Sequence, residues 1–330
     1  MMDYDQLFEA FKNVKVAVIG DVMLDTYWWG QVERISPEAP VPVVALDRSE
    51  LRIGGAGNVA LNLVAMGAQV TIFTVLGEDG DGRLLDQLLT DSGIDTTYTL
   101  FSKERKTTNK IRIISRNQQM LRLDSETILD LSNAMEDALF ERVQDYIERE
   151  KPAVLIFEDY DKGVLCSPLI KRVIALCREK KVITTVDPKK KNFFTYKGVD
   201  IFKPNLKEVR EGLDINLENV DPDSLVDVHQ KLQEKMQHSI SFITLSEKGV
   251  FYAADSQSRI IPSHLRSIAD VSGAGDTVIA VASLVYATTG NISLFAEIAN
   301  IAGGLVCEEV GTAAIDKNRL LSECKALLAG

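Results

Sequence analysis

The sequence predicts an α/β protein: a doubly wound, mostly parallel sheet flanked by helices, with a small β flap or lid. Three observations predict it. Short apolar runs rich in β-branched residues alternate with amphipathic stretches of helical period through much of the 330-residue chain, as in βα units. Acidic residues or glycine turns follow several of these runs, where open α/β sheets bind ligands. Two stretches, about 26–50 and 97–124, interrupt the alternation with prolines or alternating charge and read as strands off the main sheet. No repeat, low-complexity tract or linker divides the chain, so one domain over 1–330 is expected, with the flap as two insertions.

In order, Asp3–Lys12 reads as a short amphipathic helix. Val14–Gly20 is a buried strand that runs into Asp21 and, four residues on, Asp25. Prolines at 37, 40 and 42 forbid a helix in the next stretch, which also holds both tryptophans. In Arg52–Met66 a glycine turn opens a helix at about Asn58. Val70–Leu76 is a strand, and Asp81–Ser92 a helix with Gly93 at its end. Thr97–Leu123 returns to strand character, with a polar turn at Asn117-Gln118. Then come a helix at 132–149, a strand at Ala153–Phe157, a helix at 168–180, a strand at Val182–Val186 and a short strand at Ile201-Phe202. A helix opens at Asn205 and another covers 222–236. Ile240–Leu245 is a strand, and Gly249–Ala253 begins a hairpin. Helices follow Gly275 and occupy about 293–309 and 317–328.

Composition narrows the function. Apolar residues make up 45%, enough for a large core, and the net charge of -11 argues against a nucleic-acid or anionic-membrane binder. The four cysteines are scattered with no C-x-x-C pair, and the N-terminus is acidic and polar, so a cytoplasmic protein with reduced thiols is expected. No apolar run is long enough to predict a membrane span. Three histidines make a His-based metal site or Ser-His triad a poor expectation.

Asp270–Thr277, D-V-S-G-A-G-D-T, is the most informative stretch, because an apolar helix follows it. Gly273, Ala274 and Gly275 then fall in a first helical turn, where unpaired N–H groups and the helix dipole favour an anion. Asp276 adds a carboxylate beside that anion hole, the pairing phosphoryl transfer needs. A glycine-containing helix start with an acidic first turn would look the same. Lys203-Pro204-Asn205-Leu206-Lys207-Glu208 has capping-box spacing from Asn205 to Glu208. In a functional reading Glu208 holds a water on Mg²⁺, and Asn205 and Lys203 face nucleotide phosphates. Lys110, Arg112 and Arg116 alternate along a flap strand and suggest an anion site. Asp187-Pro188-Lys189-Lys190-Lys191 and Glu158-Asp159-Tyr160-Asp161-Lys162 follow strand ends, but charge runs of this kind are usually solvated. Gly55–Ala60 matches G-x-G-x-x-A, so a nicotinamide-dependent oxidoreductase is the rival from another class; the motif, however, follows the flap rather than the first core strand.

Together, G-G-A-G-N near residue 55, N-L-K-E at 205–208 and D-V-S-G-A-G-D-T at 270–277 resemble the ribokinase family of sugar kinases, in order and spacing across essentially the whole chain. The resemblance implies that Asp276 is the catalytic base and Gly273–Gly275 the anion hole. It implies that Asn205 and Glu208 serve MgATP, that Asp21, Gly54, Gly55 and Asn58 hold the sugar, and that Ser246, Gly249 and Asn300 border the nucleotide. A monovalent cation is a further candidate cofactor. G-D-V-M-L-D-T-Y-W-W-G-Q-V-E-R-I-S-P-E-A-P-V-P-V-V and R-N-Q-Q-M-L-R-L-D look like the heptose-7-phosphate kinases of lipopolysaccharide core synthesis. That implies a sugar-phosphate acceptor; its hydroxyls are then expected to meet carboxylates such as Asp21 and Asp25, and its phosphate Lys110 and Arg112, which alternation puts on one flap face. With no H-x-G-H motif in the chain, a separate adenylyltransferase is expected downstream in the pathway. The tryptophans and free edges of the flap predict a homodimer joined through flap strands.

Overall fold

A computed structural model describes residues 2–116, 118–255 and 257–328. The chain opens with α1 (Tyr4–Ala10), capped by the Asp3 carboxylate, and β1 (Lys15–Gly20). Then come β2 (Val22–Ile35), β3 (Pro42–Gly55), α2 (Ala56–Met66), β4 (Gln69–Phe73), β5 (Val75–Gly77), α3 (Gly80–Asp91), β6 (Leu100–Ser102), β7 (Thr108–Ser115) and β8 (Gln118–Ser125). The βα part continues with α4 (Asn133–Glu150), β9 (Val154–Glu158), α5 (Ser167–Lys180), β10 (Ile183–Asp187), β11 (Ile201–Phe202), α6 (Leu206–Leu213) and α7 (Pro222–Met236). It ends in β12 (Ile240–Thr244), β13 (Val250–Ala254), β14 (Gln257–Ile261), α8 (Ala274–Thr289), α9 (Ile292–Val306) and α10 (Lys317–Leu328).

Eight strands form the main sheet in the order β14-β13-β12-β11-β10-β9-β1-β4. The run from β4 to β12 is parallel, and β13 and β14 add an antiparallel edge. Both faces are covered, which is why the central strands are almost unbroken apolar runs. Strand alternation divides them. Val16, Val18, Val154 and Ile156 join one core with α1, α2, α8, α9 and α10, while Ala17, Ile19, Leu155 and Phe157 join the other with α4, α5 and α7. Among the described residues, no helix is long and apolar enough to cross a membrane.

The flap is a second sheet of order β3-β2-β7-β8. β2 pairs antiparallel with β3 and parallel with β7, and β7 pairs antiparallel with β8. Its limits differ from those expected. β2 starts at Val22 and β3 runs to Gly55, so both flap strands grow from the end of the main sheet. The glycine turn expected before a helix at about Asn58 is therefore strand through Gly55, and the helix opens at Ala56. Gly54 and Gly55 pair with Met23 and Val22; a Cβ on Gly54 would strike the Asp25 carboxylate, and Gly55 has φ +61°. Residues 97–102 do not join the flap: β6 pairs with β5 in a separate two-stranded sheet. For the same reason the single strand expected at 70–76 breaks at Thr74, whose carbonyl accepts the Leu100 amide. The turn expected at Asn117-Gln118 includes Asn117, outside the described residues.

Candidate active site

Parallel register lines up four strand ends on one edge. Gly20 pairs with Glu158 and Glu158 with Asp187, so β1, β9 and β10 deliver Asp21, Glu158 and Asp187 side by side; β11 delivers Lys203 next to them. The N-terminus of α8 meets this edge. Gly273 caps it at φ +78°, a backbone that disfavours any side chain, and a Cβ there would lie 2.8 Å from Asn58 Nδ2. Ala274 N–H reaches the Val271 carbonyl at 3.3 Å and Thr277 N–H the Gly273 carbonyl at 3.0 Å. The Gly275 and Asp276 amides between them have no main-chain partner among the described residues. A Cβ on Gly275 would come 3.6 Å from Asp187 Oδ2 and 3.7 Å from Lys203 Nζ, so this helix start adjoins a lysine amine directly. Backbone donors, a helix N-terminus and an ammonium group converge there, as an anion requires.

Asp276 is 4% exposed. Asn58 Nδ2 donates to its Oδ2 at 2.7 Å and the Tyr160 hydroxyl to its Oδ1 at 2.8 Å. Burial pushes its carboxyl up to about 6, against the pull of these two hydrogen bonds. The result is a carboxyl group that titrates near neutrality with its orientation fixed from two sides.

Behind it lies a buried charge cluster. Oxygens of Glu158, Asp187 and Asp276 lie within 4.8 Å of one another. Lys203 Nζ is 2.8 Å from Asp187 Oδ2, while Lys189 Nζ bridges Asp187 Oδ1 at 3.5 Å and Glu208 Oε1 at 2.8 Å. Burial works against the charged form of Asp187, but the two lysines outweigh it and hold the group below its ordinary value. For Glu158 the same lysines do not suffice: burial first, then the charges of Asp187 and Asp276, push it well above the carboxylate range against the pull of Lys189 and Lys203, and among the described residues neither of its oxygens has a hydrogen-bond partner. An oxygen-only donor set of this kind suits Mg²⁺.

Several expected site residues are placed differently from the simple reading. Asp21 accepts three amides, from Tyr160 at 3.0 Å, Lys162 at 3.1 Å and Val164 at 3.0 Å, so its carboxylate anchors the loop after β9. Burial and the charge of Asp159 push it up to about 6. Asp25 accepts from Arg112 Nη1 at 2.6 Å, so Arg112 is held by a carboxylate inside the flap. Arg116 lies beyond β7 in a left-handed backbone and is exposed. Lys110 is the cation left over. It has no ion pair among the described residues, burial pulls its pKa down, and its Nζ lies 5.6 Å from the centre of the Tyr160 ring. The Asn205–Glu208 capping box is present, with amide contacts of 2.9 Å and 2.8 Å, so the Asn205 oxygen is used on the cap. Ser246 is exposed in a turn after β12; Gly249 follows at φ +94°, where a Cβ would strike the Ile261 carbonyl. Asn300 on α9 donates to the Pro262 carbonyl at 2.9 Å.

Sequence reasoning missed Glu158, Tyr160, Asp187 and Lys189 as parts of the site. A signal was available: each sits at or just after the C-terminal end of a core strand, where open α/β sheets hold ligands.

A family model described as pfkB family carbohydrate kinase matches residues 13–318. The chain is 38% identical over 314 residues to the bifunctional protein HldE of Geobacter sulfurreducens, covering 94% of this chain and 63% of that protein. It is 41% identical over 315 residues to the bifunctional protein HldE of Magnetococcus marinus, covering 94% and 64%. The chain thus spans less than two thirds of the length of these relatives. Among solved structures, phosphofructokinase-2 from Escherichia coli in complex with potassium superposes with a TM-score of 0.80 at 17% identity, covering 96% of this chain and 100% of that one. Arabidopsis thaliana ribokinase complexed with ribose and ATP gives a TM-score of 0.73 at 14% identity, covering 93% and 98%. At such identities these likenesses show the fold.

Proposed function

The chain belongs to the pfkB family of carbohydrate kinases, and from that premise we propose that it transfers the γ-phosphoryl of ATP to the anomeric hydroxyl of D-glycero-D-manno-heptose 7-phosphate. The product is heptose 1,7-bisphosphate, an intermediate toward ADP-heptose and the lipopolysaccharide core. The oxidoreductase alternative falls away with family membership.

In this reading Asp276 takes the proton from the attacking hydroxyl, and the first turn of α8 with Lys203 faces the phosphoryl group in flight. Tyr160 and Asn58 orient the base. Bound Mg²⁺ supplies charge neutralisation across the nucleotide phosphates; Glu208 would hold it through water, and the Glu158–Asp187 cluster offers further oxygen donors.

The observation that carries the choice of substrate is Lys110. A half-buried ammonium group without an ion pair among the described residues stands over one face of Tyr160, and the hydroxyl of the same ring is on Asp276. An acceptor with its reacting end on Asp276 and a distal phosphate toward the flap would supply the missing anion. The test is ATP turnover with a panel of sugars with and without a distal phosphate. The 7-phosphate heptose should be strongly preferred. Equal efficiency with free heptose or a six-carbon sugar would refute the assignment.

A further inference from the structure

The motif resemblance makes Asp21 a sugar ligand, but its carboxylate is committed elsewhere. The side chain follows the end of β1 and is 2% exposed. Its Oδ2 accepts the amides of Tyr160 and Lys162, and its Oδ1 accepts that of Val164. A carboxylate has about four acceptor sites, so three amides and burial leave almost nothing for a sugar hydroxyl. The segment around it is shaped for this contact. Asp161 at φ +55° and Gly163 at φ +88° are left-handed, and they bend the chain so that alternate amides converge on one anion. A Cβ on Gly163 would strike the Leu129 carbonyl. On the carbonyl side, Arg105 donates to Lys162 and the Leu131 amide donates to Gly163 at 3.1 Å. The turn is therefore gripped from both sides. Its first residue, Tyr160, reaches Asp276 Oδ1 with its hydroxyl at 2.8 Å.

We propose that Asp21 is a positioning residue for phosphoryl transfer: it seats the turn after β9 so that Tyr160 meets Asp276, and it does not bind the acceptor sugar. This role rests on the phosphoryl-transfer reading, in which Asp276 takes the proton, and not on which sugar is phosphorylated. In Asp21→Asn an NH₂ group faces amide donors, so the turn loosens and the Tyr160 hydroxyl leaves Asp276.

The test is steady-state kinetics of the full chain with heptose 7-phosphate, or with the sugar that wild type prefers in the panel if that is another. Asp21→Asn and Tyr160→Phe should each lower kcat by about ten- to a hundredfold and change the acceptor KM by less than about threefold, since a misplaced group costs turnover and not binding. The double variant should be no worse than the poorer single one, because both break the same contact. Arg105→Met loosens the turn from its other side and should also lower kcat without raising KM, which decides the matter if Asp21→Asn does not fold. Amide hydrogen exchange on sugar-free protein supplies a second readout. Residues 160–164 should be protected in wild type and in Tyr160→Phe, and exchange faster in Asp21→Asn. The proposal is overturned if Asp21→Asn raises the acceptor KM and keeps kcat, if the losses in the two single variants multiply in the double one, or if exchange at 160–164 is unchanged in Asp21→Asn. The exchange needs no sugar and the acceptor is chosen by turnover, so failure of this role is distinct from failure of the heptose assignment.

Discussion

Replacing Asp276 by Asn tests the centre of the site through two measurements that should move in opposite directions. The first is turnover. The amide cannot accept the hydroxyl proton, so kcat should fall by about 10²–10⁴-fold, the usual contribution of a general base, while ATP still binds. The second is stability. An aspartate whose folded pKa lies above its ordinary value binds its proton more tightly in the folded state. Its contribution therefore favours folding below about pH 4 and is withdrawn as pH rises toward 6, the value to which burial pushes Asp276. The span from 3.8 to about 6 corresponds to a cost of about 3 kcal/mol at pH 7. Asn carries no such cost, but it offers one acceptor where Asn58 and Tyr160 present two donors. Leaving one donor unpaired costs about 1–3 kcal/mol. The balance makes Asp276→Asn as stable as wild type at pH 7, or more stable by up to about 2 kcal/mol. That advantage should vanish by about pH 4. Urea unfolding of both proteins at the two pH values, with steady-state kinetics beside it, makes the comparison. Near-native turnover would remove Asp276 from its role. A variant clearly less stable than wild type at pH 7 would refute the account of its burial.

Five further outcomes are expected. In wild type, kcat/KM should fall about tenfold per pH unit below pH 6 as Asp276 takes up its proton, read from a pH–rate profile. Lys110→Met should erode the preference for a phosphorylated sugar by about one to two powers of ten in kcat/KM, since hydrogen bonds to charged groups contribute about 1.5–3 kcal/mol; equal loss for phosphorylated and free sugars would assign Lys110 elsewhere. Arg112→Ala is a poorer probe, because it strands the buried Asp25 carboxylate, and a lowered Tm should accompany any kinetic change. Glu208→Gln should raise the Mg²⁺ needed for half-maximal rate, with the capping box kept by the amide; unchanged Mg²⁺ dependence with lost stability would leave Glu208 a cap and a partner of Lys189. Finally, every residue of β8 is exposed, Met120, Leu121 and Leu123 among them, and β3 is the opposite free edge with Leu46 and Leu51 exposed. A homodimer joined through these strands should appear by light scattering, and a monomer at working concentration would count against it.

The sequence alone determined most of the helices and core strands and the place of Asp276 in the first turn of α8, because those depend on local physics. The Asp221 cap with its following period specifies α7 at Pro222–Met236, and the capping box specifies α6. At α8 the apolar helix after Gly273–Asp276 places the Asp276 carboxylate and the backbone donors within one turn, so spacing along the chain is spacing in space. The tertiary structure decided everything that depends on strands far apart in sequence becoming neighbours. Glu158 and Asp187 look like members of solvated charge runs until β9 and β10 pair in register and bring them to one edge. Lys189 differs from Lys190 and Lys191 only because its amine turns inward to Asp187 and Glu208. Arg112 and Lys110 share a strand face and are equal candidates by alternation. The parallel pairing of β2 with β7 brings the Asp25 carboxylate within reach of Arg112 and leaves Lys110 without an ion pair among the described residues. Local pattern states which side chains share a face. Only the packed sheet settles which of them meet an opposite charge, because that depends on the register of partners the sequence does not place beside them.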